Sequence, residues 1–140
     1  MKSKSEDGPL YGEIQPPPLE TLNQRNGQAQ FIAEIISQIL AIEPKAKIIL
    51  LGDLNDFPWT EPLQTLEGSG LQNLILKLPD NERFNYSHSG MGQVLDHILI
   101  SKSLENSILD FEVLHLNSIQ LPEKQLSDHD PVYALIKWSN

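Results

Sequence analysis

The sequence contains no cysteine. That excludes disulfides and thiolate metal sites and leaves the compartment open, because a cysteine-free chain tolerates either redox environment. No run of about 18 apolar residues occurs, so no membrane span is expected. Met1-Lys2-Ser3-Lys4-Ser5-Glu6-Asp7 carries charge but no apolar h-region, so no signal peptide is expected. Basic residues are few: ten Lys and Arg stand against nineteen Asp and Glu, for a formal charge of −9. They are scattered along the chain, so the sequence does not signal a sequence-independent grip on nucleic-acid phosphates. The excess of acid fits a soluble protein, or one whose contact with phosphate is bridged by a cation. There are no internal repeats and no low-complexity segments.

What is present fits a single globular domain. At 140 residues, 39% of them hydrophobic, the chain is long enough for one core. Residues 1–20 read as an irregular connector, since Gly8-Pro9, Gly12 and Pro16-Pro17-Pro18 break both helix and strand. The proline triplet is also compatible with a polyproline II ligand. Thr21-Leu22-Asn23-Gln24 reads as a capping box. Apolar residues at Ala29, Ile32, Ile35, Ile36, Ile39 and Leu40 then follow helical spacing to Pro44. Lys47–Leu51 predicts a strand buried on both faces. Thr60 with Glu61 and Pro62 opens a short helix that Gly68-Ser69-Gly70 closes. Phe84–His88 and Val94–Ile100 predict two strands around Gly90-Met91-Gly92, and further strands are expected over Leu109–Leu114 and Val132–Lys137.

Two short motifs concentrate the chemistry: Leu51-Gly52-Asp53-Leu54-Asn55-Asp56 and Ser127-Asp128-His129-Asp130-Pro131-Val132. In an extended chain Asp53 and Asn55 point the same way. A carboxylate there binds Mg²⁺ or orients a water, and an amide meets developing phosphoryl charge. The same pair also suits an Asx turn that only shapes a loop. A calcium loop is disfavoured, because the glycine and distal Glu of that pattern are missing. His129 is the natural acid or base, and Asp128 offers a hard oxygen ligand. Asp130, before a proline, suits a structural role. Asp96 lies within an otherwise apolar strand and needs a partner; His129 is the expected one, as in Asp–His couples generally. His97 then points to the opposite face as a structural residue. Tyr86 is a candidate for substrate contact or for the core, Trp59 for a pocket rim, and His88 and His115 read as isolated.

The chain resembles the C-terminal half of the endonuclease/exonuclease/phosphatase superfamily. The resemblance rests on Ile49-Leu50-Leu51-Gly52-Asp53-Leu54-Asn55-Asp56, Val94-Leu95-Asp96-His97-Ile98-Leu99-Ile100-Ser101 and Leu126-Ser127-Asp128-His129-Asp130-Pro131-Val132, in that order. Similarity to the extracellular-nuclease-like branch extends over Pro9-Leu10-Tyr11-Gly12 to Pro16-Pro17 and into Gln28-Ala29. It implies an α/β (α+β) fold, half of a four-layer α/β/β/α sandwich of mainly antiparallel sheet with an outer helix. It also implies phosphodiester or phosphomonoester cleavage dependent on Mg²⁺, Mn²⁺ or Ca²⁺. By motif, Asp53 would position the attacking water and Asn55 would stabilise the transition state. Asp128 would meet the metal, His129 the scissile phosphate, and Asp96 would orient His129. The family's N-terminal half supplies a metal-binding Glu, an Asn and a further His, and nothing here matches them. Glu6, Glu13 and Glu20 do not fit the family Glu. The sequence thus predicts a partial domain that is inactive alone, or else a non-catalytic remnant serving as an interaction module. The expected partners are a phosphate-ester substrate, nucleic acid among them, and a complementary N-terminal half or a second copy. Relatives of the nearest branch are often exported.

Overall fold

The computed structural model describes residues 1–4, 7–8, 20–88 and 90–138. The proline triplet, Glu6, Glu13 and the Pro9–Gly12 motif lie outside the described residues. The parts of the N-terminal segment that are described do not run free. The Met1 side chain packs against the core, and Asp7 accepts from the Thr21 backbone N–H at 2.8 Å.

Helix α1 covers Leu22–Ile42. It starts where the sequence predicts, but not by a capping box. Thr21 has helical backbone angles, and its hydroxyl is drawn into a buried network with Asp7 and Arg25. The buried stripe is Arg25, Ala29, Ala33 and Ile36, whereas the expected core residues Ile35 and Ile39 are 43% and 41% exposed. The two alanines let α1 approach α2 (Glu61–Gly68) closely, which turns Ile35 and Ile39 to the flank. Thr60 precedes α2, yet its hydroxyl donates to the Phe57 carbonyl at 2.7 Å instead of capping the helix.

Three antiparallel sheets follow. Strand β1 (Ile49–Asp53) and the three-residue strand β2 (Leu71–Asn73) flank β5 (Asp96–Ser101). Strands β3 (Tyr86–His88) and β4 (Met91–Gln93) form a hairpin, and β6 (Ile108–Val113) pairs with β7 (Val132–Ile136). Two expectations are corrected here. The hairpin partner of β3 is Met91–Gln93, while the 94–100 segment forms the centre of another sheet. The reversal is tight, with Gly90 at φ +76°, so pairing begins at once on its far side. Nor is β1 buried on both faces: Leu51 is 64% and Ile49 40% exposed. Among the described strands β1 pairs with β5 alone, and at its end the Met1 amino group donates to the Asp53 carbonyl at 2.7 Å.

Strand alternation along β5 builds the layers. Leu99 faces the helices, in a cluster with Ala29, Ile36, Leu63, Leu66 and Leu71. Ile98 and Ile100 face the β6–β7 sheet and pack with Val132, Ala134 and Ile136. The result is helix on sheet on sheet, mixed α/β with antiparallel strands. Among the described residues, no helix is long and apolar enough to cross a membrane.

Candidate active site

Asp53 ends β1, and the chain then turns sharply. Gly52 has φ +133° and Asn55 φ +53°, a left-handed value that asparagine tolerates better than most residues. Asn55 donates its backbone N–H to Asp53 Oδ1 and its Nδ2 to Asp53 Oδ2, both at 2.8 Å. The two side chains therefore do meet. They meet through an Asx turn, not through the alternation of an extended chain, because the strand has already ended.

A buried network holds this turn from below. Asp56 accepts from Arg25 Nε at 2.8 Å, and Arg25 also pairs with Asp7 at 3.0 Å. The Asp56 carbonyl accepts from His97 Nε2 at 2.9 Å, and His97 Nδ1 accepts from Asn73 Nδ2 at 2.9 Å. Those partners fix the Nε2–H tautomer. Burial lowers the His97 pKa to about 4, so the ring is neutral. His97 thus faces away from Asp96, as the sequence predicts.

Asp96 lies on the inter-sheet face of β5, directly opposite Asp53 in the β1–β5 register. His129 Nδ1 donates to Asp96 Oδ2 at 2.5 Å, which is the couple expected from the sequence. The Ser127–Pro131 segment is laid against β3 by hydrogen bonds from Ser87 N–H to the Asp128 carbonyl at 3.0 Å and from Asp130 N–H to the Asn85 carbonyl at 2.8 Å. Asn85 is wholly buried; its amide accepts from the Leu95 and Asp96 N–H groups and donates to the Asp96 carbonyl. Asp130 is structural. It accepts from the Asn117 and Ser118 N–H groups and meets His115 Nδ1 at 3.2 Å. Burial alone would raise its carboxyl, but the hydrogen bonds from Ser118, Asn117 and His115 outweigh burial and hold it low. Asn117 Nδ2 also donates to the His129 carbonyl at 2.6 Å, so the motif is clamped on both sides.

The acids interact. Burial raises the Asp96 pKa against the pull of His129, and Asp53 and Asp128 add repulsion. Burial also raises Tyr86, again with help from Asp128 and Asp53. The Tyr86 ring lies 4.8 Å from the His129 ring, tilted by 52°. The structure therefore gathers Asp53, Asn55, Asp96, Asp128, His129 and Tyr86 into one neighbourhood. Beside it opens a cleft of about 410 Å³ lined by Leu51, Gly52, Asp96, Asn117, Ser127 and His129, among others. Asp53 and Asp128 are hard oxygen donors of the right kind for Mg²⁺ or Mn²⁺. Among the described residues, however, no group of three His, Cys, Asp or Glu is close enough to hold a metal ion. Among the described residues the donors fit such a cation in kind and fall short in number.

Sequence reading did not single out Arg25, Asn73, Asn85 or Asn117. Arg25 had a signal: it sits four residues before Ala29 on the apolar stripe of α1, where a charge must be paired. Asn85, alone among aromatics, had none. His115 is not isolated, being stacked on Phe84 at 4.2 Å and bonded to Asp130. Trp59 is exposed and stacks on Phe57 at 4.9 Å; it does not line the cleft.

No curated protein matches the chain by sequence. Solved structures match its fold, two NExo structures among them. One is a 3′ phosphatase, NExo, from Neisseria bound to product DNA hairpin; the other is the 3′-5′ exonuclease NExo from Neisseria meningitidis. Each superposes with a TM-score of 0.65 at 21% identity over 85% of this chain. The chain spans about half the length of those relatives, 55% and 56% respectively. The sequence pattern of the Endonuclease/Exonuclease/phosphatase family matches residues 6–129. With that match covering most of the chain, from before α1 through Asp53, Asn55 and Asp96 to His129, the chain belongs to the endonuclease/exonuclease/phosphatase family.

Proposed function

We propose that the chain carries one wall of a divalent-metal-dependent phosphoesterase site, nuclease-like in cleaving phosphodiesters, and that turnover needs a complementary N-terminal half or a second copy. The observation that carries this reading is the Asp96–His129 couple, set across one strand pair from Asp53 at the mouth of a cleft. The family and the nuclease and phosphatase names of the structural neighbours support it.

Each residue has a task that its contacts allow. Asp96 fixes the His129 ring through Nδ1, which leaves Nε2 to meet the scissile phosphate or to move a proton. Asp53 accepts a proton from, or orients, the attacking water. The Asn55 amide is held beside it and would donate to developing phosphoryl charge on exchanging its contact with the Met1 carbonyl at 3.4 Å. Asp128 is exposed and free to approach a cation. Mg²⁺, Mn²⁺ or Ca²⁺, when bound, would supply the positive charge that a chain of net charge −9 lacks.

The reading is tested by following backbone and imidazole resonances while Mg²⁺ and diethyl phosphate, an unreactive diester, are added. Saturable shifts confined to Asp53, Asn55, Asp128 and His129 are expected. Shifts absent from all four would overturn it and leave the chain a non-catalytic interaction module.

A further inference from the structure

The hairpin β3–β4 carries a row of side chains that the hydrolytic chemistry does not use. Tyr86 is bridged to His129 on one side and paired with Gln93 on the other. Directly opposed residues of antiparallel strands share a face. His88, two residues along β3, falls on that same face and pairs with Met91. The Tyr86 and His88 rings are parallel to within 4°, with centroids 6.2 Å apart. His88 and Met91 are exposed. A line of His129, Tyr86, His88 and Met91 thus runs from the ring beside Asp96 out to the tip of the hairpin.

We propose that Tyr86, His88 and Met91 form a stacking platform for a nucleobase next to the phosphate held at His129. The site would then take nucleic-acid diesters in preference to phospholipid or sugar-phosphate esters. This inference rests on the phosphoesterase reading and names its substrate class. Two flat rings and a polarisable thioether on one strand pair offer a surface that any base can cover, since every base has a π-face. They also answer a difficulty of charge. With ten basic residues against nineteen acids, affinity for nucleic acid cannot come from counterion release alone. Stacking is indifferent to that balance. A phospholipid headgroup or a sugar presents no flat ring to this row.

The test uses the full chain and two diesters of equal charge, thymidylyl-thymidine and diethyl phosphate, each titrated with Mg²⁺ and followed by NMR. Thymidylyl-thymidine is expected to bind at least about tenfold more tightly and to move the Tyr86 and His88 ring resonances upfield, as stacked rings do. His88→Ala is expected to shrink that affinity ratio about tenfold, and His88→Trp, at an exposed strand position that accepts aromatics, to widen it. Equal affinities for the two diesters, with His129 shifting for both, would overturn the platform and leave the phosphoesterase reading standing. No binding of either diester would overturn both.

Discussion

In the Asp96–His129 couple the acid is destabilised by burial and by neighbouring carboxylates. Asp96 is partly buried, and Asp53 stands directly across the strand pair. Burial raises the Asp96 carboxyl, the His129 contact opposes that rise, and repulsion from Asp53 and Asp128 adds to it. Asp53→Asn should therefore lower the Asp96 titration midpoint, a shift readable from its carboxyl ¹³C resonance; an unmoved midpoint would mean the two acids do not share a field. His97 shows the opposite case. Its pKa of about 4, against an ordinary 6.5, means the unfolded chain binds the proton and the folded one does not. This stability is whole above pH 6.5 and is lost as the pH falls toward 4, by about 3 kcal/mol at the limit. Urea unfolding from pH 7 to 4 should show the loss, and His97→Gln should flatten it.

At the scale of elements, the turn after β1 is held by α1 through the buried guanidinium of Arg25. Arg25 is 1% exposed and bridges Asp7 and Asp56. Arg25→Met removes the guanidinium that both carboxylates contact and leaves them only the more distant Lys4 ammonium; it should cost about 3–5 kcal/mol in urea unfolding. A loss below about 1 kcal/mol would mean that water already reaches the network. Elements and motifs were legible from local chemistry. The Gly-Asp-x-Asn-Asp and Ser-Asp-His-Asp-Pro strings, the α1 start and the Asp96–His129 pairing all follow from residue type and alternation. What escaped depends on distant partners. Thr21 looks like a cap but is taken by Asp7 and Arg25. Ile35 and Ile39 look like core but yield to Ala29 and Ala33, because a close helix pair needs small residues. Asp53 and Asn55 converge, yet by a left-handed residue that no periodicity reveals. Asn85 knits three segments from within an aromatic string.

For the whole molecule, the second sheet covers β5 and leaves β1 open on the same face. Leu51 and Ile49 are exposed there, beside the cleft and along a strand edge that no other described strand pairs with. Such an edge pairs readily with another chain. Sedimentation velocity should show concentration-dependent association that Leu51→Lys suppresses; a sharp monomer at all concentrations would show the face needs no cover. The candidate site lies on the same open side, and under the proposed function the partner that covers this side would also complete the site. The most direct test is hydrolysis of bis-p-nitrophenyl phosphate with Mg²⁺ or Mn²⁺, by the associated chain or with a family N-terminal half supplied, beside His129→Ala. The account predicts metal-dependent cleavage that falls at least about 100-fold in the variant. Cleavage equal in wild type and His129→Ala would contradict it.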